Sequence, residues 1–431
     1  MVYNIQAGDQ NSTTAREAKI VTPRPLEQLG TRAEVIGYFE EYMLQRYDEL
    51  SEMRLRRPLI KSQLLEVNGD SNPSASIQNI FSRSAVRVKR IDETMFLVAD
   101  TDKEIGVAEV LNDRIVAVYS ALERSEFYRW SRRIAEGNPE LDHVWFSGLT
   151  FSVLWDLVTQ IHPPHRFTQI AFTHESVFDI DDADSGEDEV SLDEEAQDTE
   201  VAERRSAKFR LTDRIGVLKG KLAQMQEIYA PLHAISQLRF PAPDRGGHDI
   251  YADGRVTNRS DTFTGHRSHL VFLSQIYANM LRLTEDYAWY SVEDSVESEG
   301  VYGRIVGAPV VMHFREPLEQ TVFDQWIKST FERRKNRFRL WGRPIRLGPT
   351  KAHVYGLDRH LWQPIFLELT ACGLTAILPK GTCGNTVHRL VANVQLYLDP
   401  RVQVYVGEKS YKDLVRQAID GGMNGSNEPS R

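Results

Sequence analysis

The residues best suited to chemistry lie in LTAILPKGTCGNTVHRLVANV, Leu374 to Val394. A buried-type strand ends at Leu378, a turn with two glycines follows, and an amphipathic helix is expected from Asn385. A helix entered this way turns free N–H groups and the positive end of its dipole toward whatever lies above the strand, which suits an anion or a phosphate. Gly381 and Gly384 would let the backbone approach a ligand, and Lys380 and Arg389 would supply charge. Thr382, Asn385 and Thr386 are donors for phosphate oxygens. Neither GxxxxGKS/T nor GxGxxG is present, so a capped strand-to-helix turn without a ligand is the competing reading.

A basic and aromatic cluster stands beside it: Arg333, Arg334, Lys335, Arg337, Phe338, Arg339, Trp341, Arg343 and Arg346. Read as a strand, Arg337, Arg339 and Trp341 share one face and Phe338 and Leu340 the other. Guanidinium planes interleaved with aromatics suit phosphate contact and base stacking. A charged edge strand that blocks unwanted pairing is the alternative.

Catalytic candidates are weaker. Asp358 and His360, with His353 and His388 nearby in sequence, could form a base-and-orienter pair or ligate a metal. No HExxH or comparable ligand spacing occurs, so no metal and no cofactor is expected. Cys383 with His388 is the one thiolate pairing, because a helix N-terminus and Lys380 would lower the thiol pKa. On that reading Cys383 reacts with alkylating reagents ahead of Cys372, which reads as packing. Asp249, Asp253, His266 and His269 invite a metal reading too, but their neighbourhood is also hairpin turn chemistry.

The elements that must position these residues are partly legible. Thr31 and Glu34 match a capping box, and Ile36, Phe39, Met43, Tyr47 and Leu50 follow on one helical face. TMFLVA, IGVAEV and RIVAVY read as strands of a meander. Two helix-plus-strand units follow, Glu123–Ala135 into His143–Ser147 and Phe151–Gln160 into Thr168–Phe172. Glu175 to Glu203 holds 14 acidic residues and no Lys or Arg. Such a run repels itself and buries little, so it is expected to be a disordered linker, either a plain spacer or a mask for a basic surface. Leu211, Ile215, Leu218, Leu222, Met225 and Tyr229 then recur at heptad spacing. Packing within the chain is preferred for this seam over dimerisation. Leu211, Leu218, Leu222 and Met225 are what it would offer a protein partner or a second copy. The last third reads β-α-β-β-α-β-α-β, with a helix from Pro364 to Thr370 and a mixed or parallel sheet.

The expected architecture is therefore α/β with α+β features. A loose tail (1–30) precedes a helical lead and first α/β domain (31–174). An acidic linker (175–205), a helical middle segment (206–299), a basic α/β domain (300–420) and a flexible tail (421–431) follow. Hydrophobic residues make up 41 % and charged residues 26 % of the 431, which excludes fibrous and wholly disordered classes. No apolar run approaches the roughly 20 residues of a membrane helix. The N-terminus shows no signal-peptide pattern, so a cytoplasmic location is expected. Two cysteines exclude a disulfide framework or a cysteine-rich zinc site. The net charge of −9 conceals +8 on residues 300–431 and −17 on the rest. These features point first to a non-catalytic protein that binds nucleic acid or nucleotide phosphate through its C-terminal domain. A hydrolase or nucleotide-handling enzyme at the same strand ends comes second, and a structural subunit of a larger assembly third.

Overall fold

The run IVAV within RIVAVY has no polar residue to turn toward water, so it needs cover on both faces. The computed structural model provides it. It describes residues 25–51, 58–67, 73–100, 103–180, 206–243, 245–297, 300–332 and 336–425. In chain order the first part comprises α1 (Arg32–Ser51), β1 (Lys61–Val67), α2 (Pro73–Ser82), β2 (Arg87–Arg90), β3 (Met95–Ala99), β4 (Glu104–Val110) and β5 (Ile115–Ser120). It continues with α3 (Arg124–Gly137), β6 (Leu141–His143), α4 (Gly148–Ile161), β7 (Phe167–His174), β8 (Ala207–Arg214), α5 (Ile215–Ile228), β9 (Ile235–Pro241), β10 (Gly247–Tyr251) and β11 (Arg255–Asn258). These eleven strands make one antiparallel sheet in the order β2-β3-β4-β5-β1-β11-β10-β9-β7-β8, with β6 paired to β1.

The long helix α6 (Phe263–Ala288) leads to a second sheet. Its elements are β12 (Trp289–Glu297), β13 (Gly300–Val306), β14 (Val310–His313), α7 (Gln320–Ile327) with a π-helical turn to Glu332, β15 (Leu340–Gly348) and β16 (Lys351–Asp358). Then come β17 (Gln363–Thr370), β18 (Gly373–Pro379), α8 (Asn385–Tyr397), β19 (Gln403–Val406), β20 (Lys409–Ser410) and α9 (Tyr411–Gly425). The strand order is β15-β16-β17-β18-β14-β19-β20, with β12 joining β18 and β13. The protein is α+β, built on two sheets.

One apolar core runs through both sheets around α6, with Leu270, Leu273, Ile276, Tyr277 and Met280 at its centre. A smaller cluster lies on the other face of the first sheet, under α2 and α3, and contains Phe81, Phe127 and Trp130. Strand β5 serves both: Ile115, Ala117 and Tyr119 enter the first cluster, Val116 and Val118 the second. The capping box forms as read, with Thr31 N–H donating to Glu34 Oε2 (3.0 Å) and Glu34 N–H donating to Thr31 Oγ1 (3.3 Å). Among the described residues, no helix is long and apolar enough to cross a membrane.

Five expectations change. The middle segment is not helical throughout, because residues 207–258 give β8 to β11 to the first sheet. Strands β7 and β8 pair from Phe167↔Arg214 to His174↔Ala207, so the acidic stretch leaves and re-enters between two neighbouring strands of one sheet. Its residues 181–205 lie outside the described residues. At its start Glu175 N–H donates to Leu396 O (2.8 Å) and Val177 is buried. The heptad seam is broken, since Leu211 belongs to β8, while Leu218 and Leu222 pack with Ile215 in the chain's own core and Met225 is exposed. Pro364 to Thr370 is a strand: Ile365, Leu367 and Leu369 alternate inward, and Pro364 sits at the strand start, where a missing N–H costs least. The second sheet is antiparallel apart from the two-residue β12–β18 pairing, because β15 to β18 are joined by turns too short for crossovers.

Beneath the first sheet, His248 on β10 meets His266 and His269 on α6; His269 Nδ1 and His248 Nδ1 are 2.9 Å apart, and Ser62 Oγ is 2.8 Å from His266 Nε2. Asp249 beside them is clamped by Arg239 and Arg259. Burial pushes His248 down from 6.5 to about 4 and His266 well below its ordinary value. The unfolded chain therefore binds protons that the folded chain refuses, so stability is complete above the unfolded value of 6.5 and falls as pH drops toward 4. His248 alone accounts for a loss on the order of 3 kcal/mol. Urea midpoints followed downward from about pH 7 should decline in this window, and His248→Gln should flatten the decline.

Candidate functional site

Strand β18 does end at a glycine turn that opens α8, but protein groups already occupy the helix entrance. Gly384 N–H donates to Glu285 Oε1 on α6 (2.9 Å), so the anion at this helix N-terminus is the chain's own carboxylate. Asn385 accepts from Tyr277 OH and donates to His143 O (2.9 Å). Thr382 turns back to Pro379 O (2.9 Å) and receives the Trp289 indole N–H on its carbonyl (2.7 Å). Lys380 and Gly381 are exposed; Thr382 to Arg389 are all buried. The expected phosphate cradle is therefore a packed joint. A Cβ on Gly384 would meet Leu281 O at 2.9 Å, so Gly384→Val strikes the fold rather than a ligand.

Arg389 explains the joint. Its side chain is fully buried, and its guanidinium donates to Asp142 Oδ2, to Asp358 Oδ1 (2.5 Å) and to Phe338 O (2.9 Å). Thr386 Oγ1 donates to Asp358 Oδ2. Arg339, also buried, donates to Asp142 Oδ1 (2.9 Å) and Leu141 O (2.8 Å). Burial by itself would raise the Asp142 carboxyl; Arg389 and Arg339 overcome it and hold it well below the usual carboxylate range. A second group adjoins the first. Arg114, in the β4–β5 turn, donates to Glu66 Oε1 (2.8 Å), Glu285 Oε1 (3.0 Å) and Cys383 Sγ (3.3 Å). His360 Nε2 lies 2.7 Å from Glu66 Oε2. Asp358 and His360 do not pair as base and orienter: the Asp358 carboxylate takes Arg389, Thr386 and the His360 main-chain N–H, while the His360 imidazole faces Glu66. Glu66, Arg114, Asp142 and Glu285 are the partners that sequence reading missed.

The weak catalytic candidates are buried. Burial and the nearby Glu66 push the Cys383 thiol up, opposite to a thiolate nucleophile. His388 does not reach it: its Nδ1 pairs with Tyr411 OH (2.6 Å), and burial pushes the imidazole down to about 3. Asp249 and Asp253 bond arginines rather than joining the histidines in a ligand set.

The basic cluster divides. Arg333, Arg334 and Lys335 lie outside the described residues. Arg337 is half-buried, facing Glu175, Asp253 and Glu136. Arg339 adopts a left-handed φ of 53° just before β15, which sends it inward. From there alternation places Trp341 and Arg343 on the outer face. Direct cross-strand pairing sets Arg343 beside Tyr355, Tyr355 beside Phe366, and Phe366 beside Ile377, one row across four strands. Trp341 is 58 % exposed, Tyr355 65 %, Phe366 37 %, and Trp362 in the adjoining turn 52 %. The Tyr355 and Phe366 rings meet edge to face, 5.5 Å between centroids. Tyr355 and Phe366 were recoverable from the alternation in KAHVYGLD and QPIFLELT, which the helical reading of the second segment concealed.

Residues 24–413 match the model of a family described as MJECL33-like protein. A curated relative from Methanocaldococcus jannaschii, MJECL33, is 27 % identical over 169 residues, 39 % of this chain and 38 % of that protein. The match thus spans well under half of the relative's length. No solved structure matches the chain.

Two outcomes follow from the burial. Cys372 is exposed and Cys383 buried, so an alkylating reagent should modify Cys372 first in the native protein, as read by peptide mass mapping. Arg389→Met should cost about 3–5 kcal/mol in urea unfolding, since it strands Asp142 and Asp358 without their fork. Arg389→Lys should recover only part of that, because an ammonium cannot bridge both carboxylates in a plane.

Proposed function

The chain belongs to the MJECL33-like family, and we propose that it is a non-catalytic binding protein for single-stranded nucleic acid, held on the outer face of β15 to β18. The observation that carries this reading is the exposed row Arg343–Tyr355–Phe366, continued by half-buried Ile377 and flanked by Trp341 and Trp362. Contiguous exposed aromatic surface of this kind marks an interaction site, because water-facing apolar area is otherwise kept small. Nucleic acid suits it better than an apolar partner because cations are interleaved with the rings. Arg343 is exposed and makes no ion pair among the described residues, Lys351 is exposed on β16, and Lys380 stands free of the packed joint at the end of β18. Bases stack on such rings irrespective of sequence, while guanidinium and ammonium groups track the phosphates. Residues 300–431 carry +8 against −17 elsewhere; Arg339 and Arg389 are consumed in the buried joint, and the positive excess that remains favours a polyanion on this part of the chain. The glycine turn takes no part, since its helix N-terminus is satisfied by Glu285. Burial of Cys383, His388, Asp358 and His360 favours binding over the hydrolase reading.

Anisotropy of fluorescein-labelled oligo(dT) and oligo(U) at low salt tests the proposal. Each of Tyr355→Ala, Phe366→Ala and Trp341→Ala should weaken binding by about 1–3 kcal/mol, roughly 5- to 150-fold, with circular dichroism unchanged. Arg343→Ala should reduce the log–log salt slope by about 0.7. Absence of binding at low salt, or an unchanged affinity when Tyr355 and Phe366 are replaced together, would sink it.

A further inference from the structure

Glu66, His360 and Cys383 come from three distant points of the chain and meet where the two sheets face each other. Glu66 is on β1, His360 in the β16–β17 turn and Cys383 at the entrance to α8. All three are buried, and one donor atom of each lies within 4.8 Å of the other two. We propose that these three side chains form a binding site for a zinc-class dication that clamps the first sheet to the second.

The hydrogen bonding around the three residues argues for an ion. Glu66 is used asymmetrically: Oε1 accepts from Arg114 (2.8 Å) and faces Cys383 Sγ (3.4 Å), whereas Oε2 is left pointing at His360. Glu66 Oε2 and His360 Nε2 approach to 2.7 Å, yet neither is in an aligned hydrogen bond, and His360 Nδ1 has no hydrogen-bond partner either. The side chains of both residues are fully buried. A buried carboxylate oxygen and a buried imidazole Nε2 that face each other without an aligned hydrogen bond are costly, and an ion held by both satisfies them.

The surroundings resemble an outer shell. Arg114 Nη2 (3.3 Å) and Asn385 N–H (3.4 Å) both donate to Cys383 Sγ, as donors do around a ligating thiolate. Asp358 Oδ1 accepts from His360 N–H (3.0 Å) and fixes the main chain that carries the imidazole. Charge fits as well. Four carboxylates in the joint (Glu66, Glu285, Asp142 and Asp358) face three guanidiniums (Arg114, Arg339 and Arg389). A dication with one thiolate brings the whole cluster to neutrality. Sulfur, nitrogen and oxygen donors together select zinc over calcium or magnesium, which prefer oxygen alone. The set escapes sequence reading because its members share no local spacing.

The test exploits the presence of only two cysteines. Full-length Cys372→Ser retains Cys383 as its sole thiol and changes an exposed residue. Refolded from urea with Co2+, it should take up one ion per chain and show a sulfur-to-cobalt charge-transfer band that added Zn2+ abolishes. The same protein should melt at a higher temperature with Zn2+ than after chelation. Folded Cys372→Ser without that band overturns the proposal, and does so equally where the wild-type chain shows one, since that band then belongs to Cys372. Those results would leave Glu66 and His360 as a plain ion pair. Cys383→Ser should lose the band and His360→Gln should weaken cobalt binding; should either fail to fold, Cys372→Ser still decides.

Discussion

A guanidinium that never meets water governs this molecule. Arg389 projects from α8 and is balanced by Asp142 on β6 of the first sheet and by Asp358 at the end of β16 in the second. A buried charge keeps its ionised form only while its partners stay in hydrogen-bonding geometry, and the penalty for displacing one is larger than the gain from having the pair at all. The two sheets are therefore held in one relative placement by a contact that adds little net stability. Arg339 and Thr386 complete the valences of the two aspartates, and Arg114 repeats the arrangement between Glu66 and Glu285. The apolar core around α6 supplies the stabilisation, and the ionic joint sets the geometry.

What could be read in the sequence depended on whether a residue's role was local. The capping box at Thr31 and Glu34 is made within one helical turn and forms as spelled. The runs MFLVA and IVAV announce burial on both faces through unbroken apolar composition, and both faces are covered. Pro364 is the opposite case. A proline followed by IFLELT fits the first turn of a helix, yet the alternation of Ile365, Leu367 and Leu369 serves a strand once β16 and β18 lie on either side. Non-local roles were illegible. Glu66 shares a strand face with Leu64, which lies in the main apolar core, so its carboxylate is turned inward. Only the arrival of Arg114 and His360 from elsewhere accounts for a charge inside a strand buried at every position.

The division between inner and outer faces of the second sheet rests on one backbone irregularity. By parity Arg339, Trp341 and Arg343 should share a side, and in an unbroken strand they would. The left-handed φ of 53° at Arg339 ends the irregular segment, sends that guanidinium to Asp142, and starts the strand at Leu340 in the register that exposes Trp341 and Arg343. A slip of one residue exchanges the faces of a whole strand. The same substitution of turn for strand thus provides an arginine to the ionic joint and an aromatic-cationic row to the surface.

The β16–β17 turn makes the same exchange with more strain. Leu361 and Trp362 both adopt left-handed φ, 63° and 54°, a conformation that costs a side chain roughly 1 kcal/mol or more. Neither is glycine, so the strain persists only because neighbouring contacts fix the turn. Leu361 N–H donates to Pro139 O (2.8 Å) and His360 N–H to Asp358 Oδ1 (3.0 Å), so the turn is tied to α3's C-terminal connection on one side and to the ionic joint on the other. The consequence is that His360 points inward to Glu66 while Trp362, two residues later, stands in solvent beside the aromatic face. A glycine at either position would relieve the backbone and loosen both placements at once. The side chains at both positions keep an interior imidazole and an exterior ring in fixed relation.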